Sequence, residues 1–133
     1  FYLIKGVEHI RGFFTPNSFI SNYPSFLLKN KSKFYIQALE DSSVTLIHRD
    51  ALFLLYKKLP KVQELSRSIV ENLYIEVSEK YESFFLKTAE ERYLDLLISE
   101  PKVIEKIPQF MIASYLGVSP EGLSRIKNRI AKK

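Results

Sequence analysis

Apolar positions change their period near position 50, and that change predicts the architecture. Before it, apolar residues come in short bulky runs. Residues 1–5 are bulky or alternating, and residues 10–14, 34–39 and 44–47 are rich in β-branched and aromatic side chains, the pattern of strands. Gly6 is a turn candidate, and Thr15-Pro-Asn-Ser18, the polar stretch 29–33 and Asp41-Ser-Ser43 supply turn or link chemistry between the runs. Several short strands at this spacing predict a small barrel or jelly roll. Residues 21–28 read as a short helical or irregular insertion.

Beyond position 50 the spacing becomes 3 and 4 residues, the period of an amphipathic helix. Asp50 is the expected cap of a short helix over 51–59, ended by Pro60. A long helix follows over about 61–86, with Val62, Leu65, Ile69, Leu73, Val77, Tyr81 and Phe84 on one stripe. At about 1.5 Å per residue it spans roughly 39 Å, more than one small core needs. The excess predicts a homodimer with a coiled-coil seam through Ile69, Leu73, Val77 and Phe84. Thr88-Ala-Glu-Glu91 has capping-box spacing and opens another helix, with Tyr93, Leu94, Leu97 and Ile98 expected inside, which stops before Pro101. A turn of helix over 103–106 leads to the last segment.

That segment, from Pro108 to Ile130, predicts a helix-turn-helix. Ile112, Ala113 and Leu116 form the apolar face of a first helix that ends at Gly117, where a left-handed conformation stops a helix. Ser119 is the N-cap of the second helix, and Pro120 stands at its first position, where the missing N–H does no harm. Leu123, Ile126 and Ile130 bury against the first helix, leaving Glu121, Ser124, Arg125 and Arg129 outward. A helix with this face can lie in the DNA major groove and read base edges.

Charge sharpens this picture. The net charge is +5, but residues 60–106 carry 7 basic against 10 acidic side chains, while residues 107–133 carry 5 against 1. All five of those cations, Arg125, Lys127, Arg129, Lys132 and Lys133, lie in the final nine residues, as phosphate binding requires. Composition narrows the chemistry further. A 46% hydrophobic chain of 133 residues can bury a core as one domain or two small ones. No run is long and apolar enough for a membrane span, so no membrane partner is expected. Zero cysteines exclude disulfides and thiolate metal sites, and His9 and His48 alone make no metal site. Neither a cofactor nor a catalytic arrangement is expected, so the chain does not read as an enzyme. The chain starts at Phe1 without Met and has no secretory signal, which reads as a cytoplasmic fragment or processed product.

The order of elements, with the strings Phe1-Tyr-Leu-Ile-Lys-Gly6, Phe34-Tyr-Ile-Gln-Ala-Leu39, Ala89-Glu-Glu-Arg-Tyr93 and Leu123-Ser-Arg-Ile126, resembles the cyclic-AMP receptor protein/Fnr family of bacterial transcription regulators. The resemblance covers essentially the whole chain. It implies an α+β protein in three parts: a partial, cyclic-nucleotide-binding-like β-roll over 1–59, a dimerisation helix over 60–86 and a helix-turn-helix domain over 87–133. It also implies double-stranded DNA, RNA polymerase and a small-molecule effector as candidate partners. The chain departs from the family in lacking strands before Phe1, a hairpin after Val7 and a β-wing after the second helix.

The resemblance also places a candidate effector pocket. The family's cassette uses Gly-Glu-Leu and an Arg-Ser pair to hold a cyclic nucleotide. The matching positions are Asn22 and Tyr23, then Ser32 and Lys33. The carboxylate is gone and the guanidinium position is Ser32. Lys33 offers only a point charge, so an effector other than cyclic AMP is expected. For DNA, Arg125 can fork to guanine, Glu121 can accept from cytosine, and Ser124 can bond a base. The family has Glu and Arg at the positions of Glu121 and Arg125, but Pro120 replaces another guanine-reading Arg. Ser119, Lys127, Arg129, Lys132 and Lys133 are phosphate candidates, which position without reading sequence. The alternative is an effector-binding or protein-interaction module that has lost DNA binding.

Overall fold

The computed structural model describes residues 1–132. Its elements run β1 (Tyr2–Ile4), β2 (Val7–His9), α1 (Tyr23–Leu28), α2 (Arg49–Lys58), α3 (Pro60–Leu86), α4 (Ala89–Ser99), α5 (Pro101–Lys106), α6 (Gln109–Leu116) and α7 (Pro120–Ile130). The protein is mostly helical, with one two-stranded antiparallel sheet among the described residues. The hairpin pairs Tyr2 with His9, Leu3 with Glu8 and Ile4 with Val7. Lys5 and Gly6 both take positive φ, 51° and 80°. Two such residues make the turn whose twist matches paired strands, and Gly6 takes this geometry without strain.

The strands expected over 10–14, 34–39 and 44–47 are not formed. A strand leaves its N–H and C=O groups for a neighbour, so apolar composition alone does not make one. Among the described residues, one such pairing is met beyond the hairpin. Tyr35 donates its N–H to the Phe1 carbonyl, and the Phe1 ammonium donates to the Tyr35 carbonyl, both at 2.8 Å. The rest of these segments is irregular, with Val44 74% and Leu46 90% exposed.

The helical half follows the local signals closely. Thr88 and Glu91 form the capping box, with the Glu91 N–H donating to Thr88 Oγ1 at 3.3 Å and the Thr88 N–H donating to Glu91 Oε2 at 2.7 Å. Helix α3 begins at Pro60 and runs 27 residues. The cap of α2 is His48, not Asp50: His48 Nδ1 accepts the Asp50 N–H at 3.3 Å, while the Asp50 carboxylate pairs with Lys29 and Arg49. A carboxylate inside the first turn favours the helix dipole equally well.

The core is built by α4, α6 and α7. Tyr93, Leu96, Ile112, Ala113, Leu116, Leu123 and Ile126 form one buried cluster, edged by Ala89, Leu97, Ile104, Ile107, Val118 and Ile130. Two residues expected inside α4 are misplaced by sequence reading. Leu94 is half-buried and Ile98 is 82% exposed, because Tyr93 and Leu96 are the residues that α6 covers. Helix α3 buries no side chain fully.

Candidate nucleic-acid interface

Helices α6 and α7 are held at a fixed angle by a turn whose backbone bonds are all local. Gly117 ends α6 in the left-handed conformation, φ 73°. The Val118 N–H donates to the Ala113 carbonyl at 3.0 Å and the Gly117 N–H to Ser114 at 3.2 Å. These are the two bonds that close a glycine-terminated helix, and Val118 packs on the core beyond them. A Cβ on Gly117 would lie 3.3 Å from the Phe84 ring as well as adopting an unfavourable φ. Ser119 then caps α7, its Oγ accepting the Gly122 N–H at 3.1 Å. Pro120 occupies the first position, as read from the sequence.

Arg92 braces the same turn from α4. Its guanidinium donates to the Leu116 carbonyl at 2.9 Å and to the Lys87 carbonyl at 2.7 Å, and lies 4.5 Å from the Phe84 ring centre. Its Nε is buried without a partner. The end of α3, the start of α4 and the end of α6 thus meet on one side chain. Sequence reading missed this role. The available signal was a cation at spacing 3 and 4 from Ala89 and Leu96, on the face of α4 that is otherwise apolar.

On α7 the buried and exposed faces are opposite. Leu123 and Ile126 are buried and Ile130 half-buried, while Glu121, Ser124, Arg125, Lys127 and Arg129 are exposed. At 3.6 residues per turn Glu121, Ser124, Arg125 and Asn128 form one outward stripe. Asn128 is exposed, and sequence reading did not single it out. The Glu121 carboxyl is held below its ordinary range by its own backbone N–H first, then by the Ser119 hydroxyl, with Arg125 adding to both. Glu121 is therefore charged at neutral pH and folded back on the helix start.

The flanking cations divide. Arg129 pairs with Glu90 of α4 at 2.9 Å, and Lys127 donates to the Gln109 side chain of α6 at 3.0 Å. Lys132 lies exposed in the turn after α7, and Lys133 lies outside the described residues. A cleft of about 480 Å³ opens beside Arg129, lined by Thr88, Glu90, Glu91 and Leu94 of the α4 start and by Ile126.

The other candidate sites lie apart from this face. Asn22 and Ser32 are joined by a 3.0 Å hydrogen bond, but both brace local chain: Asn22 caps α1, and Ser32 Oγ bonds the Phe34 backbone. Tyr23 stacks on Phe26, and Lys33 is exposed. The nearby cleft of about 440 Å³ is lined instead by residues of α1 and the α2 start, among them Phe26, Lys29, His48 and Arg49. On α3, Ile69 and Leu73 are half-buried, Val77 is 51% exposed and Phe84 44% exposed. Tyr74, Ile75, Tyr81, Phe85 and Leu86 add exposed apolar surface on the same helix. No described helix is long and apolar enough to cross a membrane.

No family model, no curated protein and no solved structure matches the chain.

Proposed function

We propose that the chain is a sequence-specific, DNA-binding transcription regulator that acts as a homodimer. The observation that carries this reading is α7 itself: a helix fixed against α6 by a closed turn, with Glu121, Ser124, Arg125 and Asn128 on its outward stripe. Arg125 is assigned to guanine and Glu121 to cytosine, and Asn128 has the chemistry to pair with adenine. Ser119, Lys127 and Lys132 are assigned to phosphate. Arg129 joins them only by leaving Glu90. In this reading residues 87–133 are the helix-turn-helix unit that the cyclic-AMP receptor protein/Fnr resemblance implies; of the partial β-roll implied over 1–59, only the two-stranded hairpin is formed among the described residues.

The dimer reading rests on the exposed apolar surface of α3, Val77 and Phe84 included, which a second copy can cover together with the half-buried Ile69 and Leu73. Sedimentation checks it: the protein should be a dimer at micromolar concentration, and Leu73→Asp with Val77→Asp should give monomers. The effector differs from cyclic AMP in this reading, since Asn22 and Ser32 satisfy each other and offer neither carboxylate nor guanidinium. The protein acts by binding, without catalysis, in the bacterial cytoplasm.

A second reading has specific support. Pro120 replaces a base-reading Arg of the resembled family, and two expected phosphate cations are engaged inside the chain. These features favour an interaction module that has lost DNA binding. Titration with random duplex DNA at rising salt separates the two. The regulator loses affinity linearly on a log–log plot, with a slope near 0.9 per phosphate contact. The interaction module shows no duplex binding at low salt.

A further inference from the structure

We propose that residues 8–13 form a strap that ties the N-terminal region to α6 and so controls how firmly the α6–α7 pair is held. Ser114, in the last turn of α6, accepts the Ile10 N–H at 2.9 Å and donates to the Glu8 carbonyl at 3.2 Å, across more than 100 residues of chain. The Phe13 ring packs on Tyr115 with centres 5.2 Å apart. Lys80 of α3 closes the arrangement. Its ammonium donates to the Arg11 carbonyl and lies 3.6 Å from the centre of the Tyr115 ring.

The arrangement is cooperative by construction. Burial, then the Arg11 charge, lowers the Lys80 pKa to about 8. Such an ammonium depends on the partners it has, and here one of them is the strap's own carbonyl. If the strap leaves, Lys80 loses an acceptor and Ser114 loses both partners, so the α3–α6 contact weakens with it. Lys80 is also an odd residue for its place, a cation at spacing 3 and 4 from Val77 and Phe84.

The strap reaches back into the N-terminal region through packed side chains. Arg11 bonds the Tyr2 hydroxyl at 3.2 Å and lies 6.0 Å from the Phe34 ring centre. Tyr2 meets Phe34 edge to face at 5.8 Å, and Ser32 bonds the Phe34 carbonyl at 2.8 Å. A contiguous set of contacts therefore runs from Ser32 to Ser114. Coupling of Ser32 or Phe34 to α6 requires that the strap have a docked and an undocked arrangement, and amide exchange measures that equilibrium.

Amide hydrogen exchange on the full chain tests this. In the unmodified protein the Ile10 amide should be protected, and Ser114→Ala should lower that protection roughly tenfold, the scale of one net hydrogen bond. Protection of α6 and α7 amides should fall with it. Phe13→Ala, which alters the strap and leaves the sequence of α6 unchanged, should do the same. An unprotected Ile10 amide in the unmodified protein overturns the strap. So does a fall at Ile10 that leaves α6 and α7 unchanged in both variants. Only a DNA-affinity readout rests on the function proposed above. A protein with linked protection and no duplex binding keeps the strap and loses that function; the reverse pair of results loses the strap alone.

Discussion

The two halves of the molecule solve the backbone problem differently. Among the described residues, all eight buried apolar side chains lie between Tyr93 and Ile126, and none lies in the hairpin, α1, α2 or α3. Helices α4, α6 and α7 meet their backbone N–H and C=O groups locally, through helix bonds and the caps at Thr88, Gly117 and Ser119, and need only one apolar face each, which three short helices supply to one another. The N-terminal half has equally apolar composition, but its extended segments lack partner strands. Apolar content makes surface sticky; a closed hydrogen-bond pattern is what converts it into a core. The open apolar faces of the first half and of α3 are the physical ground for the second copy in the proposed dimer.

Substitutions in the two halves should therefore have unequal effects. Leu116→Ala should lower unfolding free energy by about 2–5 kcal/mol, because it empties the centre of the cluster. Leu46→Ala, at an exposed position, should stay within roughly 0.5 kcal/mol. Urea denaturation of both variants checks this, and similar shifts would mean that the N-terminal half is packed after all.

Gly117→Ala should destabilise next most, by about 1–2 kcal/mol for the left-handed conformation alone, with the Phe84 contact added. Thermal unfolding reads it directly. Gly122 is the contrast within the same helix pair. A Cβ there meets Ser119 Oγ at 3.4 Å and Val118 at 3.5 Å, ordinary contact distances. Gly122→Ala should therefore stabilise, by about 0.5–1 kcal/mol through helix propensity. A loss of stability would place Gly122 among the glycines that space requires.

A pH dependence is also expected at the strap. The folded Lys80 pKa is lowered from 10.5 to about 8 by burial and by Arg11, so the folded state holds fewer protons than the unfolded state between those values. Its contribution is complete above the unfolded value and is lost as pH falls through about 8. Relative to Lys80→Met, the unmodified protein should gain thermal stability as pH rises from 8 to 10. A constant difference over that range would mean that Lys80 titrates normally.

Legibility in the sequence follows the range of the interaction. The capping box at Thr88 and Glu91, the stop at Gly117 and the cap at Ser119 each depend on residues within a few positions, and each stands where it was expected. The inward set of α6 and α7 was also legible, since one helix faces one neighbour. Strands over 10–14, 34–39 and 44–47 were not, because pairing depends on distant chain that composition does not reveal. In α4 Tyr93 and Leu97 were expected inside and lie at the core, whereas Leu96 was missed and Ile98 stands outside. The roles of Arg92, Ser114 and Lys80 are tertiary, and only their polarity on otherwise apolar faces hinted at them. The outward residues of α7 were identified as a set, but the capture of Arg129 by Glu90 depends on how α4 lies.

Whether α7 reads base sequence is decided by binding-site selection on the unmodified protein, Arg125→Ala and Lys132→Ala. The unmodified protein should select a site with a G·C pair in each half. Arg125→Ala should relax that pair, losing about 1–3 kcal/mol of discrimination. Lys132→Ala should weaken all sequences alike and reduce the salt slope by about one phosphate contact. If Arg125→Ala keeps the full preference, or if the unmodified protein selects no site, α7 is not the reader.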